Sequence, residues 1–366
     1  MKRYMFFFIG TEAELIKLFP IILECKDRNI PYRVIASGQN DILCSRIWKE
    51  IGGVVELELT KDTHITKMVQ LAWWWLKTYC TAKRKITKAF PDADFKHSSM
   101  IVHGDTVSTF MGALLGWHLG MRTCHVEAGL RSHNIFNPFP EEIDRLLTSL
   151  FSKVHFAPGK MSMANLKNVK GQVVNTEQNT LVDSLRLADS VPMEKNIPYI
   201  ADKDYFVFVM HRQENLLKRD FVLDVVDRIV KVARKKKCVL ILHEITKNAF
   251  IKFGIMEELR NNPDIILQPR VDYFDFMKVL KASDFVITDG GSNQEELYYM
   301  GKPCLILRKR TERDEGLGKN AVMFEQDIAA IERFASLYEE KRLVPPNVRI
   351  SPTKIIVDVL QEGEIV

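Results

Sequence analysis

At 366 residues the chain exceeds one comfortable hydrophobic core, so length favours two domains of roughly 150 to 200 residues each. Its 46% hydrophobic and 27% charged residues, with no low-complexity tract, exclude a disordered or fibrous chain. The formal charge of +5, from 52 Lys and Arg against 47 Asp and Glu, is spread along the chain; it admits an anionic substrate and does not call for nucleic acid.

The opening run Tyr4 to Ile9 is apolar but too short for a membrane span or a signal-peptide core, and it ends in Gly10-Thr11. It reads as a first buried strand. Further strands are expected at Tyr32 to Ala36, Met100 to His103, Thr123 to Glu127 and Val154 to Ala157, separated by helical stretches Glu14 to Asp27, Asp41 to Ile51, Thr106 to Leu119 and Glu141 to Phe151. The second half repeats the rhythm. Tyr205 to Met210, Cys238 to His243, Ile265 to Leu267, Phe285 to Thr288 and Cys304 to Leu307 read as strands, with helices that include Asp220 to Lys235, Asp272 to Ala282 and Gln294 to Met300.

This alternation predicts an α/β protein of two doubly wound, Rossmann-like parallel-sheet domains facing a central cleft. Residues 1–185 form the first domain and 186–345 the second, with a linker in Ser190 to Pro198; residues 346–366 form a helix expected to pack back on the first domain. The segment Ala72-Trp73-Trp74-Trp75-Leu76 is flanked by Lys67, Lys77 and Lys83 and cannot cross a bilayer. Three adjacent tryptophans cannot share one helix face, which suits either exposure of at least one on a partner or membrane surface or, as the commoner arrangement, a broad helix packed in a dimer or domain interface. Six cysteines (Cys25, Cys44, Cys80, Cys124, Cys238, Cys304) lie far apart without a C-x-x-C pair, and read as buried free thiols in a reducing, cytoplasmic setting. A zinc site is not expected.

The chemistry concentrates in a few motifs. Asp105, in His103-Gly104-Asp105-Thr106, Glu127, in His125 to Arg131, and Glu141, in Pro138 to Arg145, sit near element ends beside glycines and prolines, where an α/β protein places acid and base groups. Thr288-Asp289-Gly290-Gly291-Ser292 runs from a strand into a helix whose amides and dipole suit a diphosphate, and Glu296 follows one turn later as an acceptor for ribose hydroxyls. Gly-Gly before a helix is as often a plain tight turn, and no G-x-G-x-x-G or G-K-[ST] motif supports NAD or ATP. His211-Arg212-Gln213-Glu214-Asn215 follows a strand; His211 can titrate near neutrality, and the cluster can equally serve as an N-cap. Arg308 to Arg313 offers cations to a diphosphate or forms a solvated loop.

Together, H-G-D-T, H-V-E-A-G-L-R-S, P-F-P-E-E-I-D-R, H-R-x-E-N, D-G-G-x-x-Q-E-E, G-K-P and T-E-R, in this order from about Gly10 to Val322, resemble the non-hydrolysing UDP-N-acetylglucosamine 2-epimerase family. The resemblance implies the GT-B architecture and a reaction without metal or cofactor that inverts C2 of a UDP-linked 2-acetamido-hexose through a bound glycal, for surface polysaccharide synthesis. It implies Asp105, Glu127 and Glu141 as proton-transfer and sugar-positioning carboxylates and His211 beside the glycosidic oxygen. Lys17, Phe276, Gly290, Gly291, Glu296 and Arg313 would hold UDP, and Arg131, Arg212 and Ser292, in the same motifs, complete the substrate-binding set. A homodimer and a second UDP-sugar as allosteric ligand are implied as well.

Crowded carboxylates should raise the pKa of at least one of them. Competing readings are a hydrolysing epimerase releasing UDP and free sugar, a glycosyltransferase on the same scaffold, and a catalytically silent UDP-sugar binder. Departures cluster around the nucleotide and regulatory positions. Glu12 stands where the family has arginine, Asn40 where it has histidine, Gln213 where it has a second arginine, and Gly290-Gly291-Ser292 where it has S-G-G. Asp314 replaces the family's proline after T-E-R.

Overall fold

The computed structural model describes residues 1–61, 68–135, 139–194, 197–202, 204–311 and 313–362. Lys67, Pro138, Glu312, residues 195–196 of the expected linker and residues 363–366 of the expected terminal helix lie outside them. The chain divides into a unit of Met1–Leu187 with Val348–Val366 and a unit of Ala188–Asn347.

In the first unit, β1 (Met5–Ile9), β2 (Tyr32–Ala36), β3 (Leu57–Glu58), β4 (Ser99–His103), β5 (Arg122–Val126), β6 (Val154–Ala157) and β7 (Gln172–Asn175) form a parallel sheet in the order β3-β2-β1-β4-β5-β6-β7. Every residue of β1 and β4 is buried, as strands covered on both faces must be. The connections carry α1 (Glu12–Asp27), α2 (Arg46–Ile51), α3 (Met68–Ala89), α4 (Val107–His118), α5 (Glu141–Phe151), α6 (Gly159–Asn165) and α7 (Leu181–Ser190). Phe6 and Phe8 of β1 and Met100 and Val102 of β4 share one core with Trp74, Ala82 and Ile86 of α3 and Met111 and Leu115 of α4.

The second unit repeats the plan. Its strands β8 (Tyr205–Val209), β9 (Lys237–Leu242), β10 (Ile265–Pro269), β11 (Val286–Thr288), β12 (Cys304–Ile306) and β13 (Ala321–Met323) run parallel in the order β10-β9-β8-β11-β12-β13. Its helices are α8 (Tyr199–Asp202), α9 (Gln213–Leu216), α10 (Arg219–Ala233), α11 (Glu244–Phe253), α12 (Met256–Asn261), α13 (Tyr273–Ala282), α14 (Gly291–Tyr299) and α15 (Ala330–Leu337). The terminal α16 (Pro352–Glu362) belongs to the first unit, where Arg28 of α1 binds Asp358 at 2.5 Å and Gln361 at 2.8 Å. In both sheets the strand order reverses beside the central strand, between β1 and β4 and between β8 and β11. Loops at such a switch point diverge and leave room for a ligand.

Several expectations are corrected. The helix expected over Asp41 to Ile51 begins only at Arg46, because Asp41 Oδ1 accepts from the Leu43 amide at 2.9 Å in a turn and Ser45 caps Ile47. Strands β3, β7 and β13 were not expected; they are short and lie at sheet edges. Helix α7 continues to Ser190, so the expected linker can begin only after it. Cys44 and Cys80 are exposed, whereas the other four thiols are buried. The tryptophans divide as one helix demands: Trp74 is buried, Trp75 stacks on Tyr79 and Phe110 at 5.0 and 5.4 Å, and Trp73 is 68% exposed. Among the described residues no helix is long and apolar enough to cross a membrane.

Candidate functional site

Glu127 follows the last residue of β5 with a backbone φ of +63°, a left-handed conformation costly for a residue with a Cβ. Gly129 completes the turn at φ +86°, where a Cβ would lie 2.4 Å from the Ser162 carbonyl. This aims the Glu127 side chain inward. Lys17 Nζ of α1 binds its Oε2 at 2.7 Å, Asn179 Nδ2 donates to the same oxygen, and His103 Nε2 at the end of β4 lies 3.7 Å away. Four segments thus meet at one buried carboxylate. Lys17, expected to hold UDP, is engaged by Glu127.

Asp105 occupies the turn after β4, and Thr106 caps α4 through a reciprocal pair with Thr109. From α5, Arg145 reaches Asp105 at 2.5 Å with Nη2 and Glu142 at 3.2 Å with Nη1. Glu142 also binds Arg131 Nε at 2.5 Å and the Ser132 amide at 3.0 Å. Burial alone would push the Glu142 carboxyl up, but the Ser132 amide and the two guanidiniums outweigh it and hold it below the usual range. Glu141 opens α5 one residue earlier, half-buried. The sequence motifs therefore place Asp105, Glu127 and Glu141 in one unit, at the ends of adjacent strands and the start of α5.

Two carboxyls that were not nominated also belong to this neighbourhood. Glu14 of α1 accepts from Thr106 Oγ1 at 2.5 Å and the Gly10 amide at 2.7 Å, tying the turn after β1 to the turn after β4. Burial nevertheless pushes its pKa up to about 7. Asp144 of α5 is pushed up to about 8, first by burial and then by the charges of Asp105 and Glu141. Crowding was expected to raise one of Asp105, Glu127 and Glu141, whereas the carboxyl raised here is Asp144 and burial is the larger cause. Both residues were visible inside quoted motifs, but nothing in a motif reveals burial. Asn179 gave no signal, because it arrives from a distant stretch of chain.

In the second unit the fully buried Asp289, after β11, organises the loop after β8. Its carboxylate accepts from the His211 and Arg212 amides at 3.0 Å each and from Asn215 Nδ2 at 3.1 Å. That network explains H-R-x-E-N and the aspartate of D-G-G as one structure. His211 stacks on His243 with ring centroids 4.8 Å apart; burial lowers its pKa, opposed by Asp289 Oδ1 at 3.5 Å from Nδ1. Arg212 pairs with Glu214 at 3.0 Å, and Phe276 is half-buried on α13.

Gly290, Gly291 and Ser292 lead into α14, whose first amides are available to an anion. The Gly290 amide donates to Thr288 Oγ1 at 3.0 Å, Thr288 Oγ1 donates to Asn293 Oδ1 at 3.0 Å, and Asn293 Nδ2 donates to Glu296 at 2.8 Å. A Cβ at Gly290 would lie 2.5 Å from Asn293 Oδ1. The glycine that stands where the family has serine therefore makes room for Asn293. Arg313, expected to face a diphosphate, turns its guanidinium to the buried Glu295. A cavity of about 640 Å³ at the ends of β9 and β10 is lined by His243, Glu244, Lys247, Arg260 and Arg270 among others.

A family model for UDP-N-acetylglucosamine 2-epimerase matches residues 23–346. The chain belongs to the UDP-N-acetylglucosamine 2-epimerase family. Among its relatives, the UDP-N-acetylglucosamine 2-epimerase of Neisseria meningitidis is 29% identical over 346 residues, covering 90% of each chain. The crystal structure of the Methanocaldococcus jannaschii UDP-GlcNAc 2-epimerase, in complex with UDP-GlcNAc and UDP, superposes with a TM-score of 0.82 at 26% identity, over 99% of this chain and 100% of that one. The Neisseria meningitidis enzyme bound to UDP-GlcNAc gives the same TM-score, identity and coverage. The two parallel-sheet units of this family member are those of the GT-B epimerase structures.

Proposed function

We propose that this chain inverts C2 of a UDP-linked 2-acetamido-hexose, UDP-N-acetylglucosamine to UDP-N-acetylmannosamine or a decorated analogue, without hydrolysis. A base takes the C2 proton as the C1–oxygen bond to UDP breaks, leaving a glycal. UDP then adds back to C1 while an acid returns a proton to the opposite face of C2. The observation that carries this reading is the pair of anchored carboxylates, Asp105 on Arg145 and Glu127 on Lys17, in the same unit as Glu141 at the start of α5. Two faces of one carbon need two separate groups, and side chains fixed by ion pairs keep the geometry that proton transfer requires.

The roles divide between the units. The carboxylates serve the sugar; His211, Gly290, Gly291, Ser292, Phe276 and Glu296 serve UDP. A depressed pKa keeps His211 neutral at pH 7, able to hydrogen-bond the leaving oxygen. The α14 amides answer the diphosphate, which compensates for Lys17, Arg131 and Arg313 being committed to Glu127, Glu142 and Glu295. The basic cavity beside His243 favours a second UDP-sugar as an effector.

Trp73, Leu76, Trp117, Leu146 and Leu150, exposed on α3, α4 and α5, favour pairing of two copies. A cytoplasmic enzyme feeding surface polysaccharide synthesis completes the proposal. The test is product analysis by NMR after incubation with UDP-N-acetylglucosamine. The proposal expects a second UDP-sugar of manno configuration with the nucleotide bond intact. Stoichiometric UDP with free sugar would assign hydrolysis instead, and no change in a fully folded enzyme would remove the reading.

A further inference from the structure

Asn179 stands just before α7, buried, and its side-chain amide is engaged at both ends. Oδ1 accepts from the Leu181 amide at 3.2 Å, in the turn that opens the helix, and Nδ2 donates to Glu127 Oε2. A backbone N–H can only donate and a carboxylate can only accept, so both neighbours require this orientation of the amide. The adjacent Thr180 Oγ1 donates to the Lys17 carbonyl at 2.6 Å, and Ser184 Oγ donates to the Ile16 carbonyl, also at 2.6 Å. One short stretch of chain therefore grips Glu127 through Asn179 and grips α1 at the residue whose ammonium pairs with Glu127.

These two donors to Oε2 are unlike. Lys17 brings a charge on a flexible four-carbon stem, which neutralises a carboxylate without fixing its rotation. Asn179 brings a planar amide already pinned at its far end by the Leu181 amide, which defines a direction. Glu127 leaves its strand at φ +63°, so the aim of its carboxylate depends on what meets it inside. We propose that Asn179 is a positioning residue, whose amide fixes the rotation of the Glu127 carboxylate for proton transfer at C2. The inference rests on the epimerase reading above. It adds to that reading a residue that acts through Glu127 and exchanges no proton itself.

The experiment measures kcat, KM and melting temperature for the wild type, Asn179→Ala and Asn179→Ser, with both substitutions repeated in Glu127→Gln. Serine keeps an acceptor for the Leu181 amide, but a single hydroxyl cannot span from that amide to Glu127. Each variant should lower kcat about 10- to 100-fold with KM within about twofold of wild type. Asn179→Ala should also lose melting temperature; Asn179→Ser should regain part of that loss while its kcat stays low. In Glu127→Gln, where the group being aimed is gone, the same substitutions should lower kcat by less than about threefold. A kcat that recovers together with the melting temperature in Asn179→Ser, a change carried by KM, or equal losses with and without Glu127→Gln would overturn the proposal. A folded wild type that leaves UDP-N-acetylglucosamine unchanged would remove the epimerase reading and this inference with it, whereas an active wild type with unimpaired Asn179 variants would remove this inference alone.

Discussion

Lys17 Nζ lies 2.7 Å from Glu127 Oε2, and the two side chains are 6% and 5% exposed. A buried pair of this kind contributes little over an apolar pair, but removing one partner strands the other charge. Lys17→Met should therefore cost about 3–5 kcal/mol of unfolding free energy in urea at pH 7, and adding Glu127→Gln should recover much of it. A loss under about 1 kcal/mol would show that Glu127 does not depend on Lys17.

Gly290 and Asn293 form a matched pair, because a Cβ at 290 would come within 2.5 Å of Asn293 Oδ1. Gly290→Ser should destabilise the protein by about 1–3 kcal/mol and weaken UDP binding, and Asn293→Ala should relieve most of the stability loss. Calorimetry on the four proteins of the cycle checks it. Additive effects would mean that the two positions are independent.

Much of the fold was legible because β1, β4, β8 and β9 are short apolar runs that only a doubly covered parallel sheet can bury. Edge strands β3, β7 and β13 were not, since one neighbour and partial exposure leave little hydrophobic pattern to read. For the site, motifs located Asp105, Glu127, Glu141 and His211 but not their partners. The Lys17–Glu127 pair and the Arg313–Glu295 pair join residues far apart in sequence, and a motif shows a cation without showing what neutralises it. Asp289 was read as part of a phosphate loop, whereas its carboxylate builds the His211 turn.

Histidines 125 and 243 are pushed down to about 4 by burial, and His155 is lowered by the same cause. The unfolded chain takes up protons at these sites as pH falls through about 6.5, while the folded chain stays neutral there until about 4. The stability contributed at these histidines should be fully present above 6.5 and fall progressively toward 4. Thermal unfolding across that range checks it, and His125→Gln should flatten the acid limb. An acid limb of wild-type slope in His125→Gln would contradict the assignment.

Asp144 has the opposite sign. Its folded pKa of about 8 exceeds the ordinary 3.8, so the folded protein holds the extra proton and stability is lost as pH rises between those values. Asp144→Asn should gain melting temperature relative to wild type as pH rises from 5, levelling off above about 8. A difference independent of pH would contradict it.

The measurement that bears most directly on the proposed chemistry is deuterium incorporation from heavy water into UDP-N-acetylglucosamine, read by NMR. With the wild type, C2 of both UDP-sugar epimers should acquire deuterium while the nucleotide bond survives. Asp105→Asn, Glu127→Gln and Glu141→Gln should each slow this at least about a hundredfold without unfolding the protein. A wild-type enzyme that converts the sugar without deuterium at C2, or wild-type rates in all three variants, would contradict the account.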